Sequence, residues 1–322
     1  MHRPGFAVQS GTQLAVYVVM CCLVSGTAPA VGAQEEKGRF CTKTAQAAFR
    51  GCRYEIRDGF WVANGNCLNL ANDHARAKCQ EEAKIAQIEG AEECGLQFEA
   101  RLDICKSLGE APYDPKIDPA KFVDPAKIGK TIAPNPYLPL VRGRTWIYQG
   151  GLETITKTVT EDTKEILGVT CAVIHDVAES RGAVIEDTKD WYAQDIYGNV
   201  WYFGEISQQF EDNELASIEG SWKGGADSAK PGIVMKGAPA IGDVYRQEFA
   251  LSNAEDMGEV LSLTESATVP AAACQDNCLV IKDFLPIHPD SIEHKYYAHG
   301  IGLILAVHPD TGEREELVEI RY

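Results

Sequence analysis

The stretch that decides the fold class is DWYAQDIYGNVWYFGE, residues 190–205. Its two aromatic-rich runs flank DIYGN at residues 195–199, which fits a type I turn closed by a glycine bulge, with Gly198 at positive φ. A turn this tight joins antiparallel strands, because parallel strands need a crossover of about a dozen residues or more. The sequence therefore predicts a β-hairpin here.

The register of this hairpin determines which side chains share a face. If Asp195 pairs with Asn199, Trp191 opposes Phe203 and the face that they occupy is apolar. We prefer this register because it separates apolar from polar side chains. Four residues then share the opposite, polar face: Asp190, Tyr192, Gln194 and Tyr202.

The polar face predicts a ligand-binding groove. Tyr192 and Tyr202 can stack on a sugar or an apolar ligand, Asp190 can hydrogen-bond to it, and Gln194 lies beside them. Two alternatives stay open. The face can be a solvated sheet surface with half-buried rings. In a register shifted by one residue, Asp190 opposes Glu205 at about 5 Å, which suits the carboxylate pair of a retaining glycosidase.

Short alternating runs rich in Val, Ile, Thr, Tyr and Trp continue from Arg144 to the C-terminus, separated by turn residues. No helix-length segment separates these runs, which argues against a parallel sheet built from βαβ units. We expect residues 141–322 to form an antiparallel β domain, folded as a curved sheet or an open barrel.

Residues 40–108 differ in composition, because proline is almost absent while Ala, Glu, Gln, Lys and Arg are abundant. Gly90 and Gly109 are typical helix stops. The pattern predicts a helical module over residues 34–109, with three helices running up, down and up at 41–54, 67–89 and 91–108. The fold class is therefore α+β.

Seven of the 15 prolines lie between Pro112 and Pro139, and three of them follow an aspartate. Asp before Pro disfavours helix, and ring-locked residues suit a semi-rigid spacer. Residues 110–140 are therefore predicted to be an extended linker.

The N-terminus predicts an export signal. An apolar run of 11 residues from Leu14 to Val24 is too short to span a bilayer, which takes ~20, and small residues follow as far as Ala33. Residues 1–33 are therefore predicted to be a signal peptide removed before Gln34. We expect an exported protein, periplasmic or extracellular, with no transmembrane segment in the mature chain.

Without the signal peptide, which holds one Arg and no acid, the chain has 29 Lys and Arg against 47 Asp and Glu, a net charge of −18. This acidity argues against nucleic-acid binding, because no surface can neutralise phosphates. The Gly-x-Ser-x-Gly, phosphate-loop and dinucleotide-binding glycine signatures are absent, and Glu293-His294 lacks the second histidine of a zinc-protease helix. We expect neither a cofactor nor a metal.

Nine cysteines remain after the signal peptide, and the default in an exported protein is disulfide pairing. In three up-down-up helices each end would hold three cysteines, so we expect one thiol at each end to pair with the β domain or to stay free. A bridge between Cys274 and Cys278, or from either to Cys171, is possible there. The nine candidates are Cys41, Cys52, Cys67, Cys79, Cys94, Cys105, Cys171, Cys274 and Cys278.

Several phrases resemble a family of exported bacterial proteins to which no mechanism is assigned: CGLQFEARLDIC, PNPYLPLVRGRTWIYQGG, DWYAQDIYGNVWYFGE, GDVYRQEF and HKYYAHGIGLI. The resemblance covers most of the mature chain and implies no catalytic residue. The β part is also similar to the incomplete barrels of periplasmic lipoprotein carriers, in a Gly-x-x-Trp-x-Tyr opening strand and a late Tyr-Tyr-x-x-Gly-x-Gly-Leu hairpin. That similarity implies a curved sheet around an acyl chain.

The leading hypothesis is an exported, non-enzymatic protein of the cell envelope that binds a small apolar or carbohydrate ligand, or an envelope protein. The second hypothesis is a carbohydrate-directed hydrolase that uses Asp190 and Glu205. The third is a structural or interaction module whose helices contact another protein.

Overall fold

A computed structural model describes residues 38–322. The predicted signal peptide, residues 1–33, and its cleavage site before Gln34 lie outside the described residues. Two helices are followed by a large antiparallel sheet, so the α+β prediction is confirmed.

The helical part is a hairpin of two long helices, α1 (Phe40–Leu68) and α2 (Asp73–Leu108). The Asn72 side chain caps α2 by accepting a hydrogen bond from the Ala75 N–H at 2.9 Å, and α2 ends before Gly109, which has φ of 83°. The prediction of three helices was therefore wrong, although the stop at Gly109 is confirmed.

Gly90 does not end a helix because it serves a different purpose. It lies within α2 where α1 crosses closely, and a Cβ at this position would come 2.5 Å from Ile56 Cδ1. A glycine in a helix costs only about 1 kcal/mol relative to alanine, so the close approach of the two helices outweighs it. Gly59 and Gly65 lie inside α1, but a Cβ at either position would meet nothing within 4 Å.

Three disulfides link the two helices, which we call the helical hairpin (residues 40–108). Their Cα–Cα distances lie between 5.5 and 5.9 Å. The expectation that one thiol at each end pairs with the β domain or stays free was wrong, because two antiparallel helices place each of the six cysteines beside a partner. A fourth bridge is local to one β-hairpin, and Cys171 is buried and free. The bridges are Cys41–Cys105, Cys52–Cys94, Cys67–Cys79 and Cys274–Cys278.

The proline-rich segment 110–140 packs on the sheet. Asp118 and Asp124 cap two short 3-10 turns, Pro119–Lys121 and Pro125–Lys127, each by accepting a hydrogen bond from the second residue after it. Further along, the buried Asn135 side chain donates to the Gly198 carbonyl at 2.7 Å. The segment therefore contributes to the packing of the sheet as well as connecting the helices to it.

Fifteen strands follow the proline-rich segment, with antiparallel pairing between all neighbours. The first eight are β1 (Thr145–Gly150), β2 (Glu153–Ile166), β3 (Val169–Ser180), β4 (Ala183–Gln194), β5 (Val200–Glu211), β6 (Glu214–Ser217), β7 (Trp222–Lys223) and β8 (Lys230–Met235). The others are β9 (Val244–Arg246), β10 (Glu248–Phe249), β11 (Met257–Val269), β12 (Ala272–Leu285), β13 (His288–Ala298), β14 (Gly302–Val307) and β15 (Arg314–Arg321).

Thirteen strands lie in the order β10-β8-β5-β4-β3-β2-β1-β15-β14-β13-β12-β11-β9, and β6 and β7 pair with β5. The sheet is not closed by strand pairing. Its two ends are nevertheless consecutive in the chain, because only Gln247 separates β9 from β10. The largest core cluster joins Val159 and Val200 from one half of the sheet with Ile281 and Ile304 from the other. The sheet therefore curves so that both halves share one core.

The β4–β5 hairpin combines the two registers. Near the turn, Asp195 N–H donates to the Asn199 carbonyl at 2.8 Å, and Gly198 has φ of 84°, as the preferred register requires. A bulge then changes the pairing, so that Trp191 opposes Gly204 rather than Phe203. The preferred register was therefore wrong beyond the bulge.

Gly204 makes the bulge possible. Its φ is 136°, and a Cβ there would lie 2.4 Å from the Trp222 carbonyl oxygen, so glycine is required both for the backbone and for the neighbouring strand. Past the bulge, Asp190 opposes Glu205. The polar residues predicted from each of the two registers thus coexist in one hairpin.

Candidate functional site

A cavity of about 260 Å³ lies inside the curved sheet. Strands that are far apart in the sheet order line it together, with β4 and β5 on one side and β12, β13 and β14 on the other. Its walls combine aromatic rings, carboxyls and two lysines. The lining includes Lys157, Asp190, Tyr192, Tyr202, Glu205, Val234, Glu248, Asp256, Asp283 and Lys295.

Three of the four predicted ligand-binding residues lie in this cavity. The Tyr202 hydroxyl donates to Asp190 Oδ1 at 2.6 Å, and the rings of Tyr192 and Tyr202 stack with centroids 4.5 Å apart. The Trp222 and Tyr202 rings pack in a T-shaped arrangement with centroids 5.4 Å apart. The β4–β5 hairpin therefore presents an aromatic wall, Tyr192 and Tyr202, with the carboxyl of Asp190 at its edge.

Glu205, which the alternative hypothesis pairs with Asp190, lines the same cavity. Burial raises the pKa of Asp190 to about 7, and the nearby Asp176 charge adds to this. Burial also raises the pKa of Glu205 to about 8, followed by the Asp190 charge. Both carboxyls therefore hold a proton for part of the time at neutral pH.

Two further acids of the cavity were not predicted from the sequence. Glu248 of β10 is buried, and its Oε2 has no hydrogen-bond partner within the described chain. Burial and then the neighbouring Asp256 raise the pKa of Glu248, and burial raises the pKa of Asp256 to about 6. The run GDVYRQEF carries no local sign of a buried acid, because the curvature of the sheet brings Glu248 to the cavity.

Both lysines of the cavity are already paired with other acids. Lys157 Nζ lies 2.7 Å from Asp176 Oδ2. Lys295 Nζ lies 2.6 Å from Asp283 Oδ2 and 3.3 Å from Glu293 Oε2. These acids therefore largely balance the charges of the two lysines, before the carboxyls of Asp190, Glu205, Glu248 and Asp256 are considered.

Gln194, the fourth predicted ligand-binding residue, lies away from this cavity. It is buried under the proline-rich segment, where its side chain donates to the Ala133 carbonyl at 2.9 Å and accepts from the Asn135 N–H at 2.8 Å. These contacts join the end of β4 to residues 133–135 and give Gln194 a role in packing.

A second cavity, of about 340 Å³, lies between the helical hairpin and the edge of the sheet. Its walls are mostly apolar, and they include Phe40 and Leu108 of the hairpin and Phe249 of β10. A buried ion pair also lines this cavity, in which Arg101 Nη2 donates to Glu255 Oε1 at 2.7 Å. This pair attaches α2 to the sheet.

Within residues 38–322, no group of three or more His, Cys, Asp or Glu side chains is arranged to hold a metal ion. None of the helices in this range combines the length and apolarity needed to cross a bilayer. The four disulfides are typical of a protein that folds outside the reducing cytoplasm.

Comparison with family models, with curated proteins and with solved structures finds no match to this chain.

Proposed function

We propose that this protein is an exported, non-enzymatic binding protein of the cell envelope that holds a small polar molecule in the cavity inside its sheet. The observation that carries the proposal is the combination of an aromatic wall, Tyr192 and Tyr202, with the unpartnered carboxyl oxygen of Glu248 in one cavity. Ligand sites of proteins combine such walls with a few polar groups that orient the ligand.

The lining favours a polar ligand over an acyl chain. An apolar chain would leave the Oε2 atom of Glu248 without a hydrogen-bond partner, and an unsatisfied buried polar group costs roughly 1–3 kcal/mol. A ligand with a hydrogen-bond donor would instead satisfy it. The cavity is slightly smaller than the roughly 300–1,000 Å³ of sites for drug-sized molecules, so the ligand is small.

Native mass spectrometry of the protein purified from its own host tests the proposal. We expect a bound mass that is present under native conditions and lost on denaturation. Val234→Phe would fill the cavity and remove the bound mass, whereas Val62→Phe, at an exposed site on α1, would keep it. Thermal unfolding shows whether both variants stay folded. A wild-type protein without bound mass, or equal retention by folded Val234→Phe, would contradict the proposal.

The second candidate is a carbohydrate-directed hydrolase, which the direct opposition of Asp190 and Glu205 favours. Such an enzyme needs one ionised and one protonated carboxyl, which different environments normally provide. Here burial raises the pKa of both residues, and neither has a basic side chain within 4 Å among the described residues. We therefore rank hydrolysis below binding.

Release of nitrophenol from aryl glycosides distinguishes the two candidates. We expect no turnover by the wild-type protein between pH 5 and pH 8. Turnover that Glu205→Gln or Asp190→Asn abolishes, and that Glu211→Gln on the exposed end of β5 preserves, would establish the hydrolase instead.

A further inference from the structure

The interior cavity is lined by more carboxyls than basic side chains: five acids and two lysines. Lys157 forms an ion pair with Asp176, and Lys295 forms ion pairs with Asp283 and Glu293. No basic side chain lies within 4 Å of the carboxyls of Asp190, Glu205, Glu248 or Asp256 in residues 38–322. We call these four residues the carboxyl cluster. They come from β4, β5, β10 and the residue before β11, so the fold brings them together from four places.

Few hydrogen-bond donors reach the carboxyl cluster: the Trp222 indole lies near Glu248, and Glu248 and Asp256 interact with each other. The Tyr202 hydroxyl lies within reach of Asp190 and Glu205 but has a single hydrogen, which it donates to Asp190. Glu248, only 4% exposed, lines the cavity with an unpartnered Oε2. Buried polar atoms almost always have a partner, so an orphaned carboxyl oxygen facing a cavity points to a donor that arrives with a ligand.

The aromatic wall suits a positive charge as well. Tyr192 and Tyr202 both line the cavity beside Asp190, and because they stack on each other, only the outer faces of the pair can meet a ligand. The face of an aromatic ring attracts cations, at about 2 kcal/mol or more where water is excluded. On a larger scale, the excess of 47 acids over 30 basic residues draws small cations towards the protein.

We propose that the cavity selects a small organic cation, an amine or amidine whose N–H groups donate to the carboxyl cluster while its apolar part contacts Tyr192 and Tyr202. This inference rests on the proposed binding function and narrows its ligand class. A neutral sugar could donate hydrogen bonds but would gain no attraction from the carboxyls that are ionised, and an anion would be repelled by them.

Cation binding is coupled to protonation of the carboxyl cluster. Burial raises the pKa of all four members, so part of the cluster is protonated at neutral pH. A cation favours the ionised carboxylates, so binding releases protons, and affinity rises as the pH increases from about 6 to 8. The other charged groups that face the cluster are Lys157, Asp176, Glu186, Asp283, Glu293 and Lys295.

Three probes of nearly equal size test the inference by calorimetry: benzamidine, which is cationic, benzamide, which is neutral, and benzoate, which is anionic. We expect benzamidine to bind at least tenfold more tightly than the other two. Its apparent enthalpy should depend on the ionisation enthalpy of the buffer, because protons are released. Glu248→Gln should weaken benzamidine at least tenfold and change benzamide less than twofold, whereas Glu211→Gln on the exposed end of β5 should change neither.

Benzamide or benzoate binding as tightly as benzamidine would overturn the inference, and if Val234→Phe abolished that binding, the proposed function would still stand. If no probe binds, the molecule found by native mass spectrometry decides: an amine or amidine upholds the inference, and a neutral or anionic molecule overturns it. If no probe binds and native mass spectrometry shows no bound mass, both proposals are refuted. Circular dichroism of each variant excludes unfolding as the cause of a lost signal.

Discussion

The helical hairpin and the curved sheet are stabilised in different ways. The hairpin buries mainly small side chains, such as Ala45, Ala48 and Ala83, while Trp61 on α1 is 58% exposed. Three disulfides substitute for a core there. The sheet buries large residues such as Phe203, Met257 and Leu317 and contains a single local disulfide.

This difference shows which region can carry a polar site. A cavity with unpaired carboxyls destabilises the structure around it, because burial disfavours the charged form of each group. The sheet has enough apolar burial to tolerate this cost, whereas two helices with a narrow core do not. The interior cavity accordingly lies in the sheet, and the hairpin attaches to its edge through Arg101 and Glu255.

The largest expected effect comes from removing the covalent links of the hairpin. Replacing its six cysteines by serine should unfold residues 40–108 while the strands remain protected, because the Cys41–Cys105 bridge alone, closing 64 residues, contributes about 4 kcal/mol. Hydrogen exchange measured by mass spectrometry shows which segments of the chain lose the protection of their backbone amides. Replacing Cys274 and Cys278, only 4 residues apart, is the control and should cost about 2 kcal/mol or less. Retained protection in the hairpin would show that its core suffices.

The next effect concerns the contact between the two regions. Arg101→Met leaves Glu255 buried without its partner, which should lower the free energy of unfolding by about 3–5 kcal/mol. The double variant Arg101→Met/Glu255→Leu should recover part of this loss. Urea unfolding measures both. Lys106→Met, which breaks the exposed pair with Asp103, is the matched control and should change stability by less than about 1 kcal/mol. Equal effects of Arg101→Met and Lys106→Met would mean that contacts other than the Arg101–Glu255 ion pair hold the helical hairpin on the sheet.

The smallest effect concerns the pH dependence of the sheet. The carboxyl cluster has raised pKa values in the folded state, so the folded chain binds more protons than the unfolded chain, and stability falls as the pH rises from about 4 to 8. Asp190→Asn should flatten this decline and stabilise the protein at pH 8 by on the order of 1–3 kcal/mol. Urea midpoints at pH 5, 6.5 and 8 measure the change.

Asp162→Asn, at an exposed position of β2, is the control for this variant and should leave the pH profile unchanged. A loss of stability in Asp190→Asn at pH 8 would mean that the Asp190 carboxylate stabilises the fold through its bond to Tyr202.

Part of the structure was readable from local pattern. The alternation of apolar and polar residues predicted the antiparallel strands, and the turn at residues 195–199 was predicted with the correct glycine at positive φ. The helical hairpin was also encoded, although the prediction missed it. The pairs 41 and 105, 52 and 94, and 67 and 79 are all symmetric about residue 73, which is the spacing expected of two antiparallel helices.

The candidate site was only partly predictable. The prediction that Asp190, Tyr192 and Tyr202 share a face could be made because a β-hairpin has a local register, and the three residues line one cavity. The bulge at Gly204 was harder to predict from the sequence, because a glycine in a strand can mark either a bulge or a bend. Glu248 and Asp256 could not be recognised, because they reach the carboxyl cluster through the curvature of the whole sheet.

The sequence by itself determined the elements of this protein, since turn chemistry, alternation and cysteine spacing act over a few residues or along one helix pair. Only the tertiary structure decided the site. Whether an acid such as Glu248 is solvated or buried depends on which distant strands close over it, and pairing across the sheet order has no local signal. Its pKa and its unpartnered oxygen follow from that closure, because burial removes the water that would otherwise stabilise the charge.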